Sequence, residues 1–334
     1  MTNPLFFVIP NFTFKNGTKL PSVKLAYLDI NPTAPKTALI STCFKGRLNT
    51  TLTFANGAFK NHRIILVALF GNGESSSPSN TSDFPASLAY EDCVRAQYLL
   101  LTKELGINEL DVVCGFSMGG QMAYHWAALY PKFVRRAVVI CSSARTSKHN
   151  YQFLEGPRVA LEFGVDYADA KKSMVRKRDG GDNEVGEKEV PRCVQAFGKA
   201  YSAWLTSAEW FDEELYKSLG AETLEEWDLQ ASKEGYVGWE VDDLLALLGM
   251  WQRGDISCGG NLEDALTKLE AEVLLMPCET DQYFRPGPNK REAKSLKNAQ
   301  VAVIPSVWGH IAGGGSNSTD TQWMDNRISE FLNR

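Results

Sequence analysis

Apolar residues recur along this chain in two patterns, short continuous runs towards both ends and helical spacing in the middle. The runs in the N-terminal third are separated by Asn, Gly and Pro, which predicts β-strands. They lie at residues 5–9, 23–28, 38–43 and 64–69. The last two are apolar throughout, as expected for strands that are buried on both faces of a sheet.

The next segment alternates between helical and strand patterns. A helix is predicted over about 85–105, with Gly106 at its C-terminal end, and strands are predicted at 112–114 and 137–141. A second helix lies between those strands and ends at Tyr130. This alternation predicts an α/β fold, with a mostly parallel sheet flanked by helices.

Strand patterns disappear from about 142 to 261. This middle segment has helical spacing and holds five of the eight tryptophans. Its charged stretch, 171–189, is predicted to be a solvated, mobile loop.

Strand patterns then return at 273–276 and 301–304, and a final helix is predicted at about 321–332. The sheet is therefore built from two separate parts of the chain. We predict an α/β core over residues 1–144 and 263–334, with residues 145–262 inserted as a helical cap, or lid.

Composition narrows the function classes. With 334 residues, of which 44% are hydrophobic, the chain can bury a large core. A net charge of −5 offers no basic surface, so no nucleic-acid partner is expected. The opening run MTNPLFFVIP lacks a basic leader and is predicted to be a strand, and no membrane span is expected. The seven cysteines include no C-x-x-C pair, which favours reduced thiols and a cytoplasmic location.

The strand at 112–114 leads into the sequence GFSMG, centred on Ser117 and followed by a helix. This is the G-x-S-x-G nucleophile elbow, in which flanking glycines make room for a strained serine. The N–H of Met118 lies at the start of the helix, where the peptide dipoles favour an anion. The motif predicts Ser117 as the nucleophile of an acyl transfer; a glycine-rich turn without chemistry is the alternative.

One of the four histidines follows a late strand. Catalytic groups of a parallel sheet lie at the carboxyl ends of its strands. His62 precedes a strand, His125 lies about two turns into the helix after the elbow, and His149 begins the cap. His310 follows the strand at 301–304, and we predict it as the base; a surface-loop histidine is the alternative.

An acid that orients this histidine should follow another late strand. Asp281 follows the strand at 273–276 and is the first choice, and Glu279 is the second. A carboxylate there would fix the imidazole tautomer and stabilise the imidazolium. The order Ser117, Asp281, His310 is the chain order of α/β-hydrolases.

The loop after the strand at 38–43 should supply a second oxyanion donor. The backbone N–H of Phe44 is the natural candidate, beside that of Met118. Lys45 and Arg47 in the same loop could meet an anionic substrate, although such residues are more often solvated. The glycines in GNGESSS are turn residues and not a phosphate-binding loop, and we expect no bound cofactor and no metal.

Four segments carry a family resemblance that extends over nearly the whole chain: LFGNGESSSPSN, GFSMGGQMAYHWAALYP, LLALLGMWQRGDIS and MPCETDQYF. They resemble the homoserine O-acetyltransferase (MetX-like) branch of the α/β-hydrolase superfamily. The resemblance implies an acyl-serine enzyme at Ser117, with Asp281 as acid and His310 as base. It also implies an oxyanion hole at Phe44 and Met118.

Two positions differ from that branch. Ile311 follows the histidine where the acetyltransferases usually carry an aspartate, and Phe197 stands where a cap arginine is expected to hold the homoserine carboxylate. We therefore expect an apolar, aromatic pocket and a neutral or weakly polar substrate instead of homoserine. The candidate pocket residues are Lys45, Arg47, Phe197, Trp204 and Ile311.

Three function classes remain open. The leading prediction is an esterase-like serine hydrolase that acts on a small neutral ester or related acyl compound. The first alternative is an O-acetyltransferase that uses acetyl-CoA as co-substrate and an alcohol as acceptor. The second is a non-catalytic small-molecule binder, or a lyase or cyclase, on the same fold. A small-molecule substrate and a homodimer through the cap are the expected partners.

Overall fold

A computed structural model describes residues 3–181 and 189–334. Within these ranges, eight strands form one sheet. The strands are β1 Leu5–Thr13, β2 Lys19–Ile30, β3 Lys36–Ser41, β4 His62–Val67, β5 Val112–Phe116, β6 Arg136–Ile140, β7 Glu272–Met276 and β8 Ala299–Val301.

The strand order across the sheet is β1-β2-β4-β3-β5-β6-β7-β8. β1 pairs antiparallel with β2, and β2 pairs antiparallel with β4. From β4 to β8 all neighbouring strands are parallel, so their carboxyl ends share one edge. The predicted fold class, a mostly parallel sheet, is confirmed, with an antiparallel hairpin at one side.

Helices cover both faces of the sheet and make up most of the described part of the segment between β6 and β7. The helices are α1 Tyr90–Leu99, α2 Met118–Leu129, α3 Lys148–Glu162, α4 Tyr167–Arg178, α5 Arg192–Ser202, α6 Ala208–Asp212, α7 Leu224–Ser232, α8 Val241–Gln252, α9 Leu262–Leu266, α10 Pro286–Ser295 and α11 Ser318–Leu332.

The central strands are buried on both faces, as their continuous apolar runs predict. Leu39 in β3 packs into the apolar cluster that includes residues of α1 and α2. Its neighbours Ala38 and Ile40 point to the other face and belong to the cluster that contains Met324 and Ile328 of α11. This alternation follows from the two-residue period of a strand and gives a three-layer architecture.

The described part of the segment between β6 and β7 is mostly helical, as its spacing predicts. The loop predicted at 171–189 is wrong over its first part, because α4 continues to Arg178. Met174 buries its side chain there, and Asp242 of α8 binds Lys171 at 3.1 Å and the Tyr167 hydroxyl at 3.1 Å. Residues 182–188 lie outside the described ranges. The division into a core and a cap at 145 and 262 stays a prediction.

Two other boundaries differ from the sequence prediction. The helix expected from residue 85 begins at Tyr90. The strand expected at 301–304 is short and lies earlier, at β8, although Ile304 still forms a single parallel bridge with Cys278. No helix in the described ranges combines the length and apolarity needed to cross a bilayer.

Candidate active site

The turn from β5 to α2 holds Ser117 in a strained conformation. Its φ is 56° and its ψ is −122°, a region that residues with side chains rarely adopt. Gly119 lets the turn pack tightly, because a Cβ there would lie 2.7 Å from the carbonyl oxygen of Ser41, at the end of β3. The geometry is that of a nucleophile elbow, with the serine at the carboxyl edge of the sheet.

Side chains from two other loops complete the site around this serine. The Nε2 atom of His310 lies 2.9 Å from Ser117 Oγ, and its Nδ1 atom lies 2.8 Å from Asp281 Oδ2. All three residues are buried. The structure therefore brings together the three residues predicted as nucleophile, base and acid, although the serine and the histidine are 193 positions apart in the chain.

Both carboxylate oxygens of Asp281 form hydrogen bonds. Its Oδ1 accepts hydrogen bonds from the backbone N–H groups of Tyr283 at 2.7 Å and Phe284 at 3.0 Å. Its Oδ2 is the atom that faces His310. Glu279, the second candidate, is exposed, and its side chain has no part in this row of hydrogen bonds. The geometry favours Asp281 as the partner of the imidazole.

The loop that carries His310 is anchored on the segment between β6 and β7. Gly309 has a φ of 60°, and a Cβ there would lie 2.7 Å from the backbone of Thr206. The N–H of His310 donates to the carbonyl of Leu205 at 2.9 Å, and the N–H of Gly309 donates to Thr280 Oγ1 at 3.1 Å. Sequence reasoning did not identify Leu205 or Thr280, because contacts between distant loops leave no local signal.

Two backbone N–H groups beside the elbow have no acceptor among the described residues. They belong to Phe44 and Met118. β3 pairs with β5, placing Ile40 opposite Cys114, so the loop after β3 begins next to the start of α2. Free N–H groups in this position meet the requirement for an oxyanion hole.

Aromatic rings surround the imidazole of His310. The ring centroids of Phe116 and Tyr283 lie 4.7 and 4.8 Å from it, and that of Phe284 lies 5.7 Å away. The hydroxyl of Tyr283 donates to the carbonyl of Tyr201 at 3.0 Å. Sequence reasoning did not identify these rings as neighbours of the histidine. They exclude water from its surroundings, which strengthens the electrostatic interactions of the imidazole.

A second aromatic group packs around Phe44. Its ring centroid lies 5.4 Å from that of Tyr201 and 6.0 Å from those of Phe197 and Trp251. Phe197 is fully buried in this group. The position where the acetyltransferases are expected to carry an arginine therefore presents an apolar ring.

The two cations of the loop after β3 contact residues of the segment between β6 and β7. Lys45 Nζ lies 3.6 Å from the centroid of the Tyr236 ring, and burial lowers the pKa of Lys45 to about 8. The guanidinium of Arg47 lies 3.9 Å from the ring of Trp239 and donates to the carbonyl of Gly238 at 3.1 Å. These contacts hold the loop against the segment between β6 and β7 and leave Arg47 little freedom to bind a substrate carboxylate.

Matches to known proteins agree with this geometry. The family model described as alpha/beta hydrolase fold matches residues 48–176. An ethyl acetate hydrolase from Pseudomonas veronii is 31% identical over 276 residues, which cover 80% of this chain and 76% of that protein. The chain belongs to the α/β-hydrolase family.

Other members of the family resemble this α/β-hydrolase over much of its length. The solved structure of the acetyl esterase MekB is 28% identical, covers 100% of this chain and 97% of its own, and gives a TM-score of 0.88. A homoserine O-acetyltransferase from Geobacter sulfurreducens is 28% identical over 69% of this chain and 62% of that protein. The predicted MetX-like relationship is confirmed, and so is the prediction of an esterase-like hydrolase.

The remaining pocket candidates of this α/β-hydrolase, Trp204 and Ile311, lie in or against the segment between β6 and β7. The ring of Trp204 packs on Phe153, with centroids 4.9 Å apart. Ile311 is half-buried, and its N–H donates to the carbonyl of Leu205 at 3.2 Å. That these two side chains contact substrate stays a prediction.

Cys141 adds a thiol beside the acid and the base. Its Sγ, a carboxylate oxygen of Asp281 and a ring nitrogen of His310 lie within 4.8 Å of one another. Burial raises the pKa of the Cys141 thiol, so the thiol stays protonated near neutral pH. Because the imidazole and the carboxylate are already hydrogen-bonded to each other, we assign this group to the serine site and not to a metal centre.

Proposed function

We propose that this α/β-hydrolase is a carboxylic ester hydrolase that acts through an acyl-enzyme on Ser117. The observation that carries the proposal is the row of contacts from Ser117 Oγ through His310 to Asp281, at 2.9 and 2.8 Å. These distances are within the range for proton transfer and for orientation of the base. The strained backbone of the serine supports the same role.

In the proposed acylation step, Ser117 Oγ attacks the carbonyl carbon of the ester while His310 Nε2 takes the hydroxyl proton. Asp281 accepts a hydrogen bond from Nδ1–H and so stabilises the imidazolium. The N–H groups of Phe44 and Met118 donate to the oxyanion of the tetrahedral intermediate.

The imidazolium then gives its proton to the departing alcohol, and the acyl group stays on Ser117. In the second half of the reaction, His310 Nε2 takes a proton from water, and the resulting hydroxide attacks the acyl carbon. Collapse of that intermediate releases the carboxylic acid, and the serine oxygen recovers its proton from the imidazolium.

The substrates we propose are acetyl esters of small neutral alcohols. The names of two similar proteins specify ethyl acetate and acetyl esters. The rings of Phe44, Phe197 and Tyr201 also support an apolar surrounding. A zwitterion in such a place needs paired charges, because an unpaired buried charge costs several kcal/mol. Arg47 is occupied by contacts to the cap.

An O-acetyltransferase that uses acetyl-CoA is the second candidate, favoured by the similarity to the homoserine O-acetyltransferase. A direct comparison separates the two. The purified protein is assayed with ethyl acetate and p-nitrophenyl acetate, and in parallel with acetyl-CoA plus L-homoserine or small alcohols, with free CoA as the readout. We expect rapid ester hydrolysis and no acceptor-dependent CoA release. Saturable acetylation of L-homoserine would overturn the hydrolase assignment.

We also propose a cytoplasmic location, supported by the seven cysteines, all of which are free thiols. The predicted homodimer through the cap stays a prediction. Its test is the molar mass in solution, measured by light scattering.

A further inference from the structure

Lys15, Glu91 and Cys258 meet at the edge of a cavity of about 540 Å³. Lys15 Nζ lies 2.5 Å from Glu91 Oε1, and Cys258 Sγ lies 3.3 Å from the same oxygen. The nitrogen and the sulfur are 3.9 Å apart. Cys258 is an exposed thiol, and the proposed ester hydrolysis uses none of these three side chains.

The backbone on the lysine side is fixed. Lys15 lies in the turn between β1 and β2, and its N–H donates to Asp92 Oδ1 at 2.6 Å. Asp92 is fully buried at the start of α1, next to Glu91. The hydrogen bond to Asp92 therefore keeps the backbone of Lys15 beside the start of α1, where Glu91 lies.

The backbone on the cysteine side is fixed as well. The carboxylate of Asp255 accepts hydrogen bonds from the N–H groups of Ser257 at 2.9 Å and Gly259 at 3.1 Å, and it pairs with Arg145 at 3.0 Å. This small turn presents Cys258 towards the lysine. Two reactive groups that are held in place react as if at high concentration.

We propose that Lys15 and Cys258 form a reversible nitrogen–sulfur cross-link, a sulfenamide, when the protein meets hydrogen peroxide. Peroxide first oxidises the thiol: Glu91 accepts the thiol proton, the sulfur attacks one peroxide oxygen, an S–O bond forms and the O–O bond breaks. The departing hydroxide takes the proton back from Glu91 and leaves as water. The sulfur is then a sulfenic acid.

The lysine amine completes the reaction. After the Lys15 ammonium loses one proton to solvent, its nitrogen attacks the sulfur, an N–S bond forms and the S–O bond breaks. The departing hydroxide takes a second amine proton and leaves as water. Overall, one peroxide is reduced to two waters, one proton is released, and the nitrogen–sulfur pair loses two electrons.

The charges at the site set its reactivity. Partial burial of the sulfur and its hydrogen bond to Glu91 raise the pKa of the Cys258 thiol. Partial burial lowers the pKa of Lys15, but the hydrogen bond and charge of Glu91 outweigh it, so the pKa of the ammonium is raised. Both groups therefore rest in their protonated forms, and the cross-link forms under sustained exposure to peroxide and not after a brief pulse.

The cross-link joins residues 243 positions apart, so it removes much of the freedom of the unfolded chain. We expect the melting temperature of the oxidised protein to rise by about 5 °C and to return after treatment with dithiothreitol. This readout does not depend on ester hydrolysis.

The test is peptide mass spectrometry of peroxide-treated protein after digestion with a protease that does not cleave at lysine. We expect one pair of peptides joined through Lys15 and Cys258, lighter by two hydrogens than their sum and separated by dithiothreitol. Lys15→Arg keeps the charge but not the primary amine, and Cys258→Ser removes the sulfur. Both variants should lack the cross-link and the thermal shift.

Two results would overturn the proposal. One is oxidation of Cys258 to the sulfinic or sulfonic acid while Lys15 remains free. The other is an equal thermal shift in Lys15→Arg, which would show that the stabilisation does not come from the lysine.

Discussion

The hydroxyl of Ser142 donates a hydrogen bond to the backbone carbonyl of Ser117 at a distance of 2.7 Å. Ser142 follows β6, and its own carbonyl accepts a hydrogen bond from the side-chain amide of Asn289 at 2.8 Å. The same amide donates to the Glu292 carboxylate at 3.0 Å. Buried hydrogen bonds thus connect α10 to the strained residue of the elbow, and each strengthens its neighbour in this low-dielectric surrounding.

The Ser142→Ala variant should lose both stability and turnover. The Ser117 carbonyl keeps the N–H groups of Gly120 and Gln121 as donors, so loss of the hydroxyl should cost one hydrogen bond, about 0.5–1.5 kcal/mol of the free energy of unfolding. The same hydrogen bond holds the elbow, so its loss should also lower kcat. An increase of about 1.4 kcal/mol in the activation free energy corresponds to a tenfold decrease. Urea unfolding and kcat for p-nitrophenyl acetate measure the two effects.

Ser143→Ala is the matched control for that variant. The Ser143 hydroxyl is also buried, and it donates to the carbonyl of Arg145 at 2.8 Å, away from the elbow. We expect a similar loss of stability with kcat unchanged. Equal losses of kcat in the two variants would show that Ser142 acts only through general stability.

Gly119→Ala should displace the end of β3 from the elbow. The added methyl would lie 2.7 Å from the Ser41 carbonyl oxygen, which is backbone and cannot rotate away. We expect the free energy of unfolding to fall by about 1–3 kcal/mol and kcat to fall as well.

The control variant is Gly156→Ala in α3. Its added methyl has nothing within 4 Å, so the variant should stabilise the protein by about 0.5–1 kcal/mol. A Gly119→Ala variant with unchanged free energy of unfolding and unchanged kcat would contradict the close packing of Gly119 against Ser41.

Asp281→Asn should keep the fold and lower kcat on the order of ten-thousandfold, because a neutral amide no longer favours the productive imidazole tautomer. Glu279→Gln should be mild, since that side chain is exposed. Circular dichroism checks the fold, and kcat for p-nitrophenyl acetate checks the role. The opposite pattern would assign the acid to Glu279.

The pH dependence of stability should change in Glu292→Gln. Burial raises the pKa of Glu292 from 4.5 to about 7, against hydrogen bonds from Tyr124, Ala144 and Asn289 that lower it. Between these two values the folded state keeps a proton that the unfolded state has lost, so the wild type loses stability as pH rises through this window. Gln has no proton to lose.

The stability of Glu292→Gln relative to wild type should therefore rise between pH 4.5 and about 7, by up to about 3 kcal/mol. Urea unfolding of both proteins across this range measures the difference. A difference that stays constant with pH would show that Glu292 does not titrate there.

The grouping of Ser117, Asp281 and His310 was predictable because each residue follows a strand whose pattern is local. The G-x-S-x-G sequence lies between a readable strand and a readable helix. Parallel strands then bring their carboxyl ends to one edge of the sheet. The base and the acid are therefore sought among the His, Asp and Glu residues that follow late strands.

Other parts of the site depend on which distant loops pack together. The hydroxyl of Ser142 has no periodic or motif signal, and its hydrogen bond to Ser117 becomes visible only in the folded chain. The contact between the rings of Tyr283 and His310 likewise becomes visible only there. The helix α4 was missed for a related reason. Its composition is charged, and its position is fixed by one buried methionine, Met174, and by contacts to Asp242.

Reaction with a fluorophosphonate probe tests most directly whether Ser117 is an activated nucleophile. Intact mass and peptide mass spectra of the folded wild-type protein give the number and place of adducts. We predict a single adduct on Ser117, labelling slowed by orders of magnitude in His310→Ala, and none in Ser117→Ala. Wild-type protein that hydrolyses p-nitrophenyl acetate but takes no label, or takes it on another residue, would contradict the serine mechanism.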